Sequence, residues 1–359
     1  MKKFTRFFAT VAAVSMVAAS LAGCGSKSDN TASTDTTADS ATAGDTLKIG
    51  GIGPITGGAA VYGLAVKNAA ELAVKEINEA GGINGMQVEF KFEDDEHDAE
   101  KSVNAYNSLK DWGMQMLMGT VTSTPCTAVV EKTHEDNMFQ LTPSGSAVES
   151  IKYDNAFRVC FSDPGQGTAS AKYIGENKLA SKVAVIYNSS DVYSSGVYQK
   201  FAEEAKNQDF EVVSAEAFTE DSKTDFSVQL QKAKDAGDMV FLPIYYTEAS
   251  LILTQANSMG YAPTFFGCDG LDGLLEVKNF DTKLADGVML LTPFAADADD
   301  EKTQAFVSAY KEAYGDTPNQ FAADTYDAIY IMKAAAEKAG VTADMSVSDI
   351  CDAMKTAMT

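Results

Sequence analysis

The sequence predicts an α/β protein of two Rossmann-like lobes, each a parallel sheet covered by helices on both faces. Three observations carry this. From Thr46 onward, short apolar runs alternate with segments of helical periodicity. The alternation breaks near residues 160–165 and then restarts. In the first half, two apolar runs end in turns rich in small hydroxyls just before the next helical pattern, at "TVTSTP" and "TPSGSAVES". Strands that alternate with helices pair in parallel, because each crossover helix packs back onto the sheet. A chain of 359 residues is long enough for two such cores.

The elements follow in order. "TLKIGGIGPI" reads as a strand. Residues 59–80 read as a helix with Leu64, Ala69, Leu72, Ala73 and Ile77 on one stripe, stopped by Gly81-Gly82. A strand at 86–94, a helix near Glu100–Trp112, a strand at 114–119, a helix at 126–136 and a strand at 138–144 come next. The turn at Ser144–Ser146 reads as leading into a further helix. Beyond "NAFRVCFSD" the pattern gives helix 165–177, strand 182–188, helix 194–208, strand 211–218 and helix 224–236. Strand 239–245, helix 247–259, strand 263–267, strand 287–294 and helices 300–314 and 320–339 complete it. Open parallel sheets bind ligands beyond the carboxyl ends of their strands, and both hydroxyl-rich turns stand at such ends.

The formal charge of −23 argues against nucleic acid as a partner, since phosphate backbones require basic surface. The amino terminus reads as a targeting segment. Lys2, Lys3 and Arg6 precede a short Ala-rich apolar run, too short for a permanent span. That run ends in "LAGC", whose spacing resembles the bacterial lipobox and implies cleavage after residue 23 and lipidation of Cys24. Cleavage leaves 25 of the 28 basic residues against 51 acids, a formal charge of −26. Acyl chains contribute about 0.8 kcal/mol per buried methylene, so two or three anchor stably. Residues 25–45 carry no large apolar side chain and read as a disordered tether, roughly 70 Å long at full stretch. The remaining cysteines, Cys126, Cys160, Cys268 and Cys351, fit no zinc spacing and read as small buried residues.

Several motifs point away from catalysis. "GGIGPITGG" puts Thr56 where a dinucleotide fingerprint needs its third glycine, and Pro54 removes an amide that a phosphate would use. "EDDEHD" has no paired metal-ligand spacing, with His97 and His134 the only histidines, and reads as a solvated acidic loop. No G-x-S-x-G elbow is present, so no nucleophile, cofactor or metal is expected. The hydroxyl turns have a use of another kind. Amides at a helix N-terminus, with Ser or Thr beside them, seat an anion. Ser123 and Thr124 stand at one such end, and Ser144 and Ser146 at the other. Simple helix capping is the competing role for these side chains. Arg158 is the only arginine beyond the leader, which leaves hydroxyls and amides as the means of gripping a carboxylate. Asp269 directly follows a second-lobe strand, where it either faces an ammonium group or simply forms a turn with Gly270. Tyr62, Tyr193, Tyr245 and Phe321 lie near the same ends and could wall a pocket.

In this order, "IGGIGPITGGAAVYG", "AVKEINEAGGINGMQVEF", "EDDEHD", "LTPSGSAVE", "AFRVCFSDPGQG", "KVAVIYNSSDVYSSG" and "TPNQFAADTYDA" resemble the leucine/isoleucine/valine-binding proteins of ATP-driven (ABC) importers, over nearly all of 46–339. The resemblance implies the type I periplasmic-binding-protein fold, with two lobes joined by a multi-strand hinge. The first lobe would be 46–163 plus 295–359, the second 164–294, with hinge segments near 160–165 and 292–296. It implies that Ser123 and Ser146 hold an α-carboxylate with backbone at Val121 and Ser144, and that Asp269 meets the α-ammonium. Glu is usual at that last position, so Asp shortens the reach. Tyr193 and Tyr245 would wall the pocket from the second lobe, Tyr62 and Phe321 from the first.

The cysteine pair of some members is absent, with Glu96 and Thr122 near those positions. The resemblance further implies a Gly-rich turn and strands beyond "CDAMKTAMT", so a truncated carboxyl terminus and a loss of stability are expected. The implied protein is not an enzyme. It is an extracytoplasmic, lipid-anchored monomer that closes on an aliphatic amino acid and docks on a permease–ATPase complex. Rival expectations are the same fold binding amides, urea, aromatic acids or a short peptide, a ligand-sensing receptor domain, and a lipid-anchored enzyme.

Overall fold

The computed structural model describes residues 46–359. Cys24, the leader and the tether therefore lie outside the described residues. Two five-stranded sheets, wholly parallel, form the frame. The first has the order β2-β1-β3-β4-β5 and uses β1 (Thr46–Gly53), β2 (Gln87–Asp94), β3 (Met116–Gly119), β4 (Gln140–Thr142) and β5 (Ala156–Arg158). The second has the order β10-β9-β8-β6-β7 and uses β6 (Lys182–Asn188), β7 (Glu211–Phe218), β8 (Met239–Leu242), β9 (Thr264–Gly267) and β10 (Met289–Leu290). In both sheets the order reverses beside the first strand of the lobe, at β1/β3 and at β6/β8. Such a reversal opens a crevice at the carboxyl ends of the strands.

Helices α1 (Ala60–Glu79), α2 (Ala99–Trp112) and α3 (Ser123–Glu135) connect the first sheet, and α4 (Asp163–Glu176), α5 (Val192–Ala205), α6 (Ser227–Ala236) and α7 (Tyr246–Ser258) the second. The chain then returns through α8 (Glu301–Tyr314), α9 (Gln320–Ala339) and α10 (Val347–Met358). Of these, α9 lies along α1, and α10 lies on α9 and β3. The main core joins Leu47, Ile49, Met116, Phe139 and Leu141 of the first sheet to Val66, Ala69 and Ala73 of α1 and Ile329 and Met332 of α9. Each such large side chain contributes about 1.5–3 kcal/mol on burial. Local signals set the helix ends. Asp98 caps α2 by accepting from the Lys101 amide, Gly113 ends it in a left-handed turn at φ 92°, and Asn319 caps α9. Cys126, Cys160, Cys268 and Cys351 are all buried free thiols.

Four sequence expectations change. Leu64 is 45% exposed, because five residues from Ala69 is about 140° around a helix and off the stripe. The turn at Ser144–Ser146 leads only into a single 3-10 turn, Val148–Ile151, since β5 begins five residues later and leaves no length for an α-helix. The strand expected over 287–294 is reduced to the two-residue edge strand β10, a length that offers little to a foreign strand. Helix α10 was not expected. Its Ile350, Cys351 and Met354 are fully buried, and its cap Ser346 accepts from the Asp349 amide.

Candidate ligand site between the two lobes

The carboxyl ends of both sheets meet at one small cavity. Val121, Thr122, Ser123, Ser144 and Ser146 line it from the β3 and β4 turns. Tyr193, Tyr245, Asp269 and Gly270 line it from the second lobe, and Phe321 from α9. Its volume is about 10 Å³, room for one water. Entry of anything larger therefore requires the lobes to part. Two surface grooves of about 460 and 770 Å³ are far larger. Neither brings together hydroxyls, helix-end amides and a buried acid, so size is a poor guide to the site here.

The hydroxyl side is tightly braced. Ser123 is the first residue of α3, where the amides of the opening turn have no helical partner. Its Oγ accepts from the Ala147 amide at 3.1 Å and lies 3.4 Å from Ser146 Oγ. Ser144 Oγ donates to the Val121 carbonyl at 2.7 Å, and Thr142 Oγ1 to the Thr120 carbonyl at 2.6 Å. Arg158 does not face the cavity. Its Nη1 donates to the carbonyls of Ser146 and Ala147 at 2.9 and 3.0 Å and so fixes the turn from behind. Thr122 is the N-cap of α3 by position, yet its side chain makes no capping bond. Its Oγ1 lies 2.8 Å from His97 Nδ1 instead. Of the two positions near the absent cysteine pair, Thr122 thus meets the neighbour of Glu96, while Glu96 itself pairs with Lys101 at 2.6 Å.

Asp269 opens a 3-10 turn, Asp269–Leu271, immediately after β9 and is 3% exposed. Its Oδ1 has no hydrogen-bond partner. The Gly270 amide donates to Tyr193 Oη at 3.1 Å, and the Asp269 amide to Gln166 Oε1 at 3.3 Å. Burial pushes the Asp269 carboxyl up to about 6, against the opposing pull of Tyr193, Gln166 and Gln320. The Nε2 atoms of Gln166 and Gln320 likewise have no hydrogen-bond partner, so the carboxylate stays under-solvated. Tyr193 and Tyr245 stack at 5.0 Å. Tyr62 stands behind the lining rather than on it. It packs on Phe321 at 4.1 Å and on Tyr245 at 5.7 Å, and its Oη donates to the Gly270 carbonyl at 2.5 Å.

Val121, Ser123, Ser144, Ser146, Tyr193, Tyr245, Asp269 and Phe321 thus share one cavity, and Tyr62 supports it. Thr122 and Gly270 also line it and were not anticipated. Each lies directly beside an anticipated residue, which is the signal that was available. The "EDDEHD" loop is not wholly solvated: Asp95 is fully buried, and burial lifts it to about 7. Among the described residues no group of acids, histidines and cysteines could hold a metal ion.

These buried acids give stability a definite pH dependence. Asp95, Asp269 and Asp324, the last lifted to about 8 by burial, hold protons in the folded state that the unfolded chain releases near pH 4. Their stabilising contribution is complete below that point and is lost as pH rises through 6–8. The half-buried Asp136 and the exposed Asp238, held low by hydrogen bonds and a lysine, act in the opposite sense only below about pH 4. Thermal melts are expected to give a higher Tm near pH 5 than near pH 8. An equal or inverted pair of values would show that these acids ionise freely in the fold.

Comparison with known proteins agrees with this fold. The periplasmic binding protein family profile matches residues 46–359. A Leu/Ile/Val-binding protein of Rhizobium johnstonii is 31% identical over 302 residues, spanning 83% of this chain and 81% of the relative. The leucine-, isoleucine-, valine-, threonine- and alanine-binding protein of Pseudomonas aeruginosa is 29% identical over 298 residues, spanning 82% and 79%. Among solved structures, the branched-chain amino acid transporter substrate binding protein of Streptococcus pneumoniae in complex with isoleucine superposes with a TM-score of 0.76 at 28% identity, covering 86% of this chain and 87% of that one. On the strength of its fold and the match along its whole described length, this chain belongs to the periplasmic binding protein family.

Proposed function

We propose that this protein captures a branched-chain aliphatic amino acid by closure of its lobes and delivers it to an ABC importer. One observation carries the reading. The hydroxyls of Ser123 and Ser146, with the helix-end amide of Ser123, face, across one cavity, a buried Asp269 with an unpartnered oxygen. The first set suits a carboxylate and the second an ammonium, so the pair of them fits a zwitterion. The rings of Tyr193, Tyr245 and Phe321 leave only apolar wall for the side chain. Binding, rather than turnover, is the activity such a set supports, since it offers no activated nucleophile.

An amide, urea or aromatic acid would leave Asp269 buried without a cation, which disfavours those ligands. The acyl anchor at Cys24 and the tether would keep the protein, as a monomer, on the outer face of the cell membrane near its permease. Isothermal calorimetry with leucine, isoleucine, valine, phenylalanine, urea and benzoate tests the reading. Heat with the three aliphatic amino acids is expected, with affinities within about a hundredfold of one another, because one methylene discriminates by only 1–3 kcal/mol. Folded protein that gives heat with none of them would refute it.

A further inference from the structure

His97 bridges the mouth of the cleft. It stands in the loop after β2 with a left-handed backbone, φ 61°. Its Nδ1 is 2.8 Å from Thr122 Oγ1, its Nε2 is 3.9 Å from Asp191 Oδ2, and its ring meets Tyr245 edge-on at 5.2 Å. Asp191 belongs to the second lobe, where it caps α5, its Oδ1 accepting from the Ser194 amide at 2.9 Å. Its Oδ2 accepts from Thr124 Oγ1 at 3.1 Å. One carboxylate therefore sits between the N-termini of α3 and α5. Both ends carry partial positive charge and would otherwise repel. When the lobes part, this carboxylate leaves α3, and His97 loses its partner.

We propose that His97, together with Thr124 and Asp191, is the lock that holds the closed lobes. His97 is a positioning residue. It touches no ligand, but it fixes Thr122 beside the Ser123 seat and faces the cap of the helix that carries Tyr193. The proposal rests on the reading that the cleft takes an amino acid. Because the contacts of Asp191 with His97 and Thr124 exist only with the lobes closed, their loss accelerates release and leaves capture nearly unchanged.

The test uses His97→Asn, Asp191→Asn and the double variant. Asn keeps the left-handed backbone at 97 but is too short to reach both partners. At 191 it caps α5 as well as Asp does. Leucine capture and release are followed by stopped-flow. Lobe separation is read from spin labels at Glu79→Cys and Lys206→Cys, both exposed and on opposite lobes.

Each single variant is expected to release leucine about tenfold faster, with the capture rate changed less than about twofold. The double variant is expected to release leucine more slowly than the product of the two single effects would give, because the two residues share an interaction. Label distances are expected to lengthen in every variant. Unchanged release, or two effects that multiply, would overturn the lock. If the wild type binds no amino acid, the ligand reading fails on its own. The lock then stands or falls on the free protein, where identical label distances in wild type and variants would refute it.

Discussion

Replacing Asp269 with Asn is expected to raise the Kd for leucine by roughly thirtyfold to several thousandfold. Removing one partner of a buried, hydrogen-bonded charge pair costs about 2–5 kcal/mol, because the other charge is left unpaired in a dry site. In the ligand-free protein, burial holds the Asp269 carboxyl at about 6. Only the carboxylate can meet an ammonium, and the ammonium in turn lowers that value in the complex. Affinity is therefore expected to be flat above pH 6 and to fall about tenfold per unit below it, and the Asn variant is expected to lose this slope. The same substitution removes a buried charge. At pH 8 the wild type forgoes about 3 kcal/mol in keeping a carboxyl ionised roughly two units above its ordinary range, so the variant is expected to melt at a higher temperature while binding poorly. Calorimetry from pH 5 to 8 with parallel melts checks both halves. Undiminished leucine affinity in the variant would remove the ammonium from this position.

Alanine at Gly63 is expected to be strongly destabilising. A Cβ there would lie 1.9 Å from the Pro54 carbonyl oxygen and 2.4 Å from its carbon, both backbone atoms that no rotamer change can move. Helix α1 must instead back away from the β1–α1 turn. Overpacking of this kind costs about 3 kcal/mol, or roughly 6–12 °C in Tm. The damage should also reach binding, since Tyr62, the adjacent residue, supports Phe321, Tyr245 and the Gly270 carbonyl from behind the cavity. A wild-type Tm in differential scanning calorimetry would mean that the turn can shift with the helix.

What could be read in the sequence depended on distance along the chain. Nine of the ten strands and most helices announce themselves within ten to twenty residues, through apolar runs, caps and Gly stops, whereas the three-residue β5 (Ala156–Arg158) was not anticipated. Ser123, Ser146 and Asp269 could be picked out because each sits just past a strand end, where doubly wound sheets put their ligands. Thr122 and Gly270 escaped notice because one looks like a helix cap and the other contributes only backbone. The 3-10 turn at Val148–Ile151 was misread because the Ser-rich lead-in looks the same whether an α-helix or a short turn follows. The signal for α10 was local and strong: Ser346 and Asp349 as a cap, then Ile350, Cys351 and Met354 on one face. His97 could not have been read, since its partners Thr122 and Asp191 lie 25 and 94 positions further on, and only the folded lobes bring them together.

The four buried thiols sit in separate places: Cys126 in α3, Cys160 at the crossing between lobes, Cys268 at the end of β9, and Cys351 in α10. Burial raises the pKa of each, Cys351 to about 11. A neutral, enclosed sulfur does not react with alkylating agents. Each becomes reactive only when its own neighbourhood opens. The wild-type chain thus carries four built-in reporters of local unfolding, and timed alkylation followed by peptide mapping would rank the seat of α3, the crossing, the Asp269 strand and the terminal helix by the ease with which each comes apart.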